Sequence, residues 1–242
     1  MSRIYSNIAA IDTNSVKSFF DRRASAESNP INAVMLQKEG SSVAIERDKY
    51  EREHLVPSID PGGKVLELGC GAGRLASHYN KDGNSYLGLD FSENLIGLAN
   101  SAFAGQETIR FQVAEIPRIS QEELLIRPPF DLVIVTGLLI YLNDEAVEKT
   151  FELINSIAAS KAKLYLRETI SILDHRLTLR DFYSEELNDN YNAVYRTREE
   201  IKAHIDMYMT KSGFSLASEG VAFPANLQTR AETNQHYFIV ER

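Results

Sequence analysis

The sequence predicts an α/β protein built on a doubly wound, seven-stranded and mostly parallel sheet. Short β-branched runs alternate with helical stretches from residue 64 to residue 242, and a glycine-rich turn follows the first run. No internal repeat or low-complexity tract interrupts this alternation. Strands that alternate with helices form βαβ units with parallel strands. Ligands are therefore expected beyond the carboxyl ends of the strands, where the strand order reverses.

The predicted strands share a short apolar core with turn residues on either side. They cover residues 64–68, 86–91, 109–114, 131–136, 163–168, 214–223 and 236–240. Three helix starts are marked by capping residues: Ser92, Asn143, and Thr197 with Glu200 three positions later. The helix that begins after Thr197 is expected to end at Gly213.

Two regions lie outside this alternating pattern. Residues 1–62 are polar and helix-like, which predicts an N-terminal helical cap ahead of a main domain over residues 63–242. The connection after the fifth strand is long for a link between strand and helix, and it is rich in tyrosine and charge. Residues 170–197 are therefore predicted to form a substrate lid.

Composition narrows the classes of function. The 242 residues carry a net charge of −8 without a run of Lys or Arg, which disfavours a nucleic-acid partner. The single cysteine, Cys70, excludes an internal disulfide and a cysteine-rich zinc site, and no metal site is predicted. The first residues lack a signal-peptide layout, and no apolar stretch is long enough to cross a membrane. A cytoplasmic protein is expected, and its oligomeric state is left open.

The turn after the first strand has the composition of a ligand-binding loop. Gly69, Gly71 and Gly73 remove Cβ atoms where the chain passes from strand to helix, so a ligand can approach the backbone closely. Asp90 ends the second strand, 21 residues after Gly69. That offset, about 20 residues, places a carboxylate on the two hydroxyls of a ribose. Together these features predict a nucleoside-containing cofactor.

The spacing distinguishes two cofactor classes. A dinucleotide fold would have its third glycine at position 74, where this chain has Arg74, and Glu67 precedes the first glycine by two residues. The run from Val65 to Arg74 resembles motif I of the class I S-adenosylmethionine-dependent methyltransferases. The resemblance covers residues 64–170 and the closing strands, and it implies the strand order 3-2-1-4-5-7-6 with an antiparallel final hairpin.

The resemblance also implies which residues bind S-adenosylmethionine. Asp90 would bind the ribose, Phe91 would pack on the adenine, and Glu115 would lie near the adenine amino group. The full set implied as cofactor-binding is Glu67, Gly69, Cys70, Gly71, Asp90, Phe91, Ala114, Glu115 and Thr136. The protein is thus expected to be an enzyme that transfers a methyl group to a small molecule.

Shorter strings carry a looser resemblance to methyltransferases that modify sugars or natural products. They are residues 19–24 (Phe-Phe-Asp-Arg-Arg-Ala), 34–37 (Val-Met-Leu-Gln) and 195–200 (Tyr-Arg-Thr-Arg-Glu-Glu). On this basis a hydroxyl acceptor is predicted. The alternatives are N-methylation of a small amine, a nicotinamide-dependent oxidoreductase on the same fold plan, and a non-catalytic partner subunit.

Candidates on the acceptor side follow from position alone. A hydroxyl acceptor needs a general base, and Glu168 and His175 follow the fifth strand on the side where a substrate would lie. Tyr141 lies in the predicted wall between cofactor and substrate, and Tyr195 and Arg196 lie in the predicted lid. We therefore expect Glu168 and His175 to be catalytic and the other three residues to bind the acceptor.

Overall fold

The computed structural model describes residues 2–5, 7–26, 34–36, 42–185 and 187–242. The strands in this part of the chain are β1 Ser2–Tyr5, β2 Lys64–Leu68, β3 Ser85–Asp90, β4 Ile109–Val113, β5 Phe130–Thr136, β6 Ala158–Ser171, β7 Leu177–Ser184, β8 Asp189–Tyr195, β9 Ser215–Val221 and β10 Thr233–Glu241. The helices are α1 Thr13–Ala26, α2 Val43–His54, α3 Ala76–Tyr79, α4 Glu93–Ala102, α5 Asp144–Ile157 and α6 Arg198–Tyr208. Short 3-10 turns lie at Gln121–Glu123, Leu139–Tyr141, Thr210–Ser212 and Ala225–Leu227.

The central sheet has the strand order β4-β3-β2-β5-β6-β10-β9. The five strands from β4 to β6 are parallel neighbours, whereas β10 runs antiparallel to both β6 and β9. Counted from β2 and without β7 and β8, this order is 3-2-1-4-5-7-6. The predicted fold class, including the antiparallel final hairpin, is confirmed. The strand order reverses between β2 and β5, so a crevice opens at their carboxyl ends.

The central strands β2, β3 and β5 are buried along almost their whole length, as expected for parallel strands with helices on both faces of the sheet. Val65, Leu66 and Leu68 of β2 are fully buried. Helix α5 packs on the sheet through Val147, Phe151 and Ile154, which recur at helical spacing on one face. Burial on both faces explains why these segments appear in the sequence as continuous apolar runs.

Most of the predicted helix ends are confirmed. The Ser92 hydroxyl accepts a hydrogen bond from the Leu95 amide at 3.2 Å, and Thr197 and Glu200 form a reciprocal capping box. Gly213 ends the turn after α6 with φ of +87°. Asn143 stands at the start of α5, but its side chain hydrogen-bonds to both backbone groups of Ile11 instead of capping the helix. The Asn143 side chain therefore attaches the N-terminal segment to the main domain.

A second, three-stranded sheet lies over the carboxyl edge of the first, with the order β1-β7-β8. Its strands are antiparallel, with Ser2 opposite Arg180 and Tyr5 opposite Leu177. The segment ahead of β2 contains the helices α1 and α2 and also β1, an element that the sequence analysis did not foresee; the division into a cap and a main domain stays a prediction. A four-residue strand is too short for a periodic signal, and its partner lies far along the chain.

The hairpin β7–β8 occupies the region predicted as a substrate lid. Helix α1 holds it through ring contacts between Phe19 and Tyr191 and through an ion pair between Arg22 and Asp189. The role of this region as a lid stays a prediction. Gln37, part of one string that carried the looser resemblance, lies outside the described residues. Among the residues that the structure does describe, no helix is long and apolar enough to cross a membrane.

Candidate active site

A cavity of about 1190 Å³ lies beyond the carboxyl ends of the parallel strands. Its floor is the glycine turn after β2 together with the ends of β3, β4 and β5, and its roof is the hairpin β7–β8 with part of the N-terminal segment. Pockets for one small ligand usually measure roughly 300–1,000 Å³. The cavity therefore has room for a cofactor and an acceptor side by side.

The glycine turn has a backbone that side chains would disrupt. Gly69, Gly71 and Gly73 have φ of +73°, +54° and +76°, in the left-handed region that favours glycine. A Cβ on Gly71 would lie 2.5 Å from the Val34 side chain, and one on Gly73 would lie 2.7 Å from the Phe111 ring. The bare backbone required by the motif is therefore present, and it faces the cavity.

Asp90 lies at the end of β3 beside this turn. One carboxylate oxygen accepts a hydrogen bond from the Gly71 amide and the other from the Ser92 amide, each at 2.9 Å. Each oxygen has a second lone pair, so the carboxylate can also accept hydrogen bonds from two hydroxyls of a ligand. Burial raises the pKa of Asp90 to about 6. The arrangement fits the ribose-binding role predicted for Asp90.

A network of buried charges lies beneath the turn. Glu67 accepts a hydrogen bond from the Tyr86 hydroxyl, and burial raises the pKa of Glu67 to about 7. Arg74 forms ion pairs with Asp48 at 2.9 Å and with Glu51 at 2.8 Å, both on α2. The residue that replaces the third glycine of a dinucleotide motif therefore joins the N-terminal cap to the turn.

The remaining cofactor candidates lie on the same wall. The Phe91 ring faces the Phe20 ring of α1 at 6.3 Å, and Thr136 accepts a hydrogen bond from Arg74 at 3.3 Å. Glu115 is exposed at the rim, where it pairs with Arg118. The cavity is lined by every predicted cofactor residue, namely Glu67, Gly69, Cys70, Gly71, Asp90, Phe91, Ala114, Glu115 and Thr136. These residues suit an adenosyl group.

The other end of the cavity is lined by three connected tyrosines. The hydroxyls of Tyr141 and Tyr191 are 3.1 Å apart, and the Tyr195 hydroxyl donates to that of Tyr191 at 3.3 Å. Burial raises the pKa of all three hydroxyls well above the usual range, so each is neutral at physiological pH. Tyr141 and Tyr195 were predicted to bind the acceptor, and both line the cavity. Tyr191 was missed as a site residue.

Cationic side chains lie around this tyrosine cluster. The positive charge of Arg230 partly offsets the effect of burial on the pKa of Tyr191 and Tyr195, and Arg3 does so for Tyr195. Arg3 also pairs with Glu232, and both arginines line the cavity. The sequence held no signal for these residues, because β1 and the segment before β10 meet only in the folded chain.

Three predicted site residues do not line the cavity. Glu168 is 1% exposed and accepts hydrogen bonds from the amides of Leu138 and Leu139. His175 is bonded to the neighbouring Asp174 at 2.5 Å, and its ring packs edge-on against Tyr5. The placement of Glu168 and His175 gives no support to a catalytic role for either residue.

Arg196 is the third of these residues. Its guanidinium is buried and donates to the carbonyl oxygens of Leu139 at 2.8 Å and Leu142 at 2.9 Å. It also forms an ion pair with Asp144. All of these contacts lie within the protein, so the geometry does not support direct binding of an acceptor by Arg196.

Comparisons with known proteins find similarity to methyltransferases. Residues 65–160 match a family model described as a methyltransferase domain. Phosphoethanolamine N-methyltransferases from Triticum aestivum and Arabidopsis thaliana are 34% and 30% identical over 126 and 120 residues. These matches cover 50% and 49% of this chain but 23% of each relative. The chain thus matches about a quarter of the length of these curated relatives.

A solved structure has the same fold. It is phosphoethanolamine N-methyltransferase 1 of Haemonchus contortus in complex with phosphoethanolamine and S-adenosylhomocysteine, with a TM-score of 0.71 and 17% identity. The match covers 95% of this chain and 48% of that one. The resemblance predicted from motif I is confirmed: the chain has the fold of the class I S-adenosylmethionine-dependent methyltransferases, and its residues 65–160 match the model of a methyltransferase domain.

Proposed function

We propose that this protein transfers a methyl group from S-adenosylmethionine to the amino group of a small acceptor that also carries an anionic group. Phosphoethanolamine is the acceptor with which to test it. One observation carries the proposal: a single cavity joins the glycine turn and Asp90 to a compartment of neutral tyrosine hydroxyls with Arg3 and Arg230 at its edge. The cofactor supplies a methyl carbon on a positive sulfonium.

The tyrosine compartment suits the anionic end of such an acceptor. Neutral hydroxyls can donate hydrogen bonds, and hydrogen bonds to an ionised oxygen are stronger than neutral ones. The neighbouring guanidinium groups would favour a phosphate over an uncharged group. Tyr141, Tyr191 and Tyr195 would thus hold the acceptor at one end and leave its amine directed towards the cofactor.

The placement of the two predicted bases favours nitrogen over oxygen as the acceptor atom. A hydroxyl acceptor needs a general base within hydrogen-bond reach, and the two predicted bases, Glu168 and His175, do not line the cavity. An amine must be neutral when it reacts, so the ammonium group of the acceptor first loses one proton to water. Its lone pair then forms the new bond to carbon while the carbon–sulfur bond breaks, and the methylated nitrogen keeps the positive charge. The protein's main contribution is alignment, which can supply about 7–11 kcal/mol.

The sequence relatives favour the same choice. Their names assign them to N-methylation of phosphoethanolamine, whereas the hydroxyl prediction rested on short strings. Arg74 continues to argue against a nicotinamide cofactor, because the dinucleotide motif has glycine at that position.

The test is methyl transfer from labelled S-adenosylmethionine to phosphoethanolamine, ethanolamine and a panel of sugar hydroxyls. We expect label in phosphoethanolamine, and a kcat/KM for ethanolamine that is lower by about 10²-fold, because roughly 3 kcal/mol of hydrogen bonding to the anion is lost. Tyr191→Phe should raise KM for phosphoethanolamine. Tyr79→Phe is the matched control, since the Tyr79 hydroxyl is bonded to the Pro57 carbonyl away from the cavity.

Two results would contradict the proposal. One is faster transfer to a sugar hydroxyl than to any amine. The other is binding of S-adenosylhomocysteine without transfer to phosphoethanolamine.

A further inference from the structure

The 3-10 turn after β5 touches both ends of the cavity. At its start, Leu138 packs on the glycine turn, with its Cβ 3.2 Å from the position that a Cβ on Gly69 would take. At its end, Tyr141 enters the tyrosine cluster and is bonded to Tyr191. The position of this turn therefore sets the distance between the two compartments.

Two buried charges of opposite sign hold the turn from the side away from the cavity. Glu168 on β6 accepts hydrogen bonds from the Leu138 and Leu139 amides at 2.8 and 2.9 Å. Arg196, just after β8, donates to the carbonyl oxygens of Leu139 and Leu142. The anion is thus at the amide end and the cation at the carbonyl end, as the dipole of a helical turn favours.

Glu168 and Arg196 do not form an ion pair with each other, so mutual pairing does not explain why both are buried. Among the described residues, the second oxygen of Glu168 is buried without a hydrogen-bond partner, and a buried charge that is incompletely paired is costly. Beyond the turn, the Arg196 guanidinium also donates to Asp144, the first residue of α5. Both side chains hydrogen-bond to the backbone that carries Tyr141.

We infer that Glu168 and Arg196 are positioning residues that clamp this turn and so place Tyr141 for alignment of the acceptor. The inference rests on the proposed function for its effect on turnover. It assigns to both residues a role distinct from the catalytic and substrate-binding roles expected from the sequence, since neither touches the cavity.

The clamp has a pH dependence of its own. Burial raises the pKa of Glu168 to about 7, and the ionised carboxylate is the stronger acceptor for the two amides. The charged or titratable groups nearest to Glu168 are Arg167 on the same strand, Arg196, Tyr141 and His236, which lies opposite Glu168 on β10. The clamp should therefore weaken as the pH falls through about 7.

The kinetic test compares Glu168→Gln with the wild type across pH. We expect turnover to fall about tenfold at pH 8.5 and the difference to narrow to about twofold at pH 6, where protonated Glu168 resembles glutamine. Ionisation of the acceptor cancels in this ratio. In a Tyr141→Phe background, Glu168→Gln should have a much smaller effect. Glu241→Gln is the control, because Glu241 pairs with Lys163 at the other end of β6 and β10 and, five residues from His236, faces the other side of the sheet.

A second readout needs no acceptor. The chain contains no tryptophan, so Tyr141→Trp introduces a single tryptophan at the end of the turn, and its fluorescence can be followed. Adding Glu168→Gln should increase its quenching by acrylamide, and adding Glu241→Gln should not. Arg196→Lys should also increase the quenching, because an ammonium group cannot reach two carbonyl oxygens and Asp144 at once. This variant replaces Glu168→Gln in the test if Glu168→Gln fails to fold.

The clamp is overturned if quenching is unchanged in both Glu168→Gln and Arg196→Lys, or if the ratio of turnover is independent of pH. If the wild type does not methylate phosphoethanolamine but Glu168→Gln still increases acrylamide quenching, phosphoethanolamine is rejected as the acceptor. The clamp is then retained. Failure of the inference and failure of the proposed function are therefore distinguishable.

Discussion

Replacement of Asp90 tests the central assignment of the cofactor site. Asp90→Ala removes a carboxylate that accepts hydrogen bonds from the amides of Gly71 and Ser92 and that, in our assignment, binds the ribose. A hydrogen bond to a charged group contributes about 1.5–3 kcal/mol. The dissociation constant for S-adenosylhomocysteine should therefore rise about 10- to 150-fold. Titration calorimetry measures this directly.

Two further variants separate ribose binding from loss of the turn. Asp90→Asn retains an oxygen for one backbone amide but replaces the other acceptor by a donor, so affinity should still fall by about tenfold or more. Asp131→Asn is the control, since Asp131 accepts from the Lys64 amide at the opposite edge of the sheet. A folded Asp90→Ala protein that binds S-adenosylhomocysteine as tightly as the wild type would refute the assignment.

Three more predictions concern the same site. Because burial raises the pKa of Asp90 to about 6 and the ribose requires its ionised form, affinity for S-adenosylhomocysteine should fall about tenfold between pH 7.5 and pH 5; a flat calorimetric profile would contradict this. Gly71→Ala should lower the free energy of unfolding, measured in urea, by roughly 1–3 kcal/mol, because the φ of Gly71 is +54° and the Val34 side chain fills the space of a Cβ. Gly97→Ala in α4 is the control. Nothing lies within 4 Å of a Cβ there, so the free energy of unfolding should rise by about 0.5–1 kcal/mol. Burial raises the pKa of Glu67 from 4.5 to about 7, so the ligand-free protein should lose roughly 1–3 kcal/mol of stability relative to Glu67→Gln as the pH rises from about 4.5 to about 7; a difference constant with pH would show that Glu67 does not titrate there.

The elements predicted best are those with local signals. Strand β2 was predicted at its observed bounds, and the Thr197–Glu200 capping box starts α6 as expected. Strand β1 was missed, and the region of β7 and β8 was predicted only as a lid without strands. Their pairing is between distant parts of the chain, and a short strand has no periodicity strong enough to reveal it.

The cofactor and acceptor sides differed in how well they could be predicted. The cofactor candidates lie on turns directly after strands, and the carboxyl ends of parallel strands meet at one edge, so their convergence followed from the order of elements. Glu168 was placed by proximity alone. Side chains alternate along a strand, so its neighbours Arg167 and Thr169 line the cavity while Glu168 faces the opposite side.

The sequence by itself determined the α/β class and the glycine turn beside Asp90, because periodicity, glycine position and the spacing to Asp90 act over short stretches of chain, and the resemblance to motif I supplied the strand order. Only the tertiary structure decided which residues line the proposed acceptor compartment. Arg3, Tyr191 and Arg230 meet there through contacts between β1, β8 and the segment before β10. Such contacts depend on the packing of distant segments, and a single sequence does not encode that packing in any local pattern.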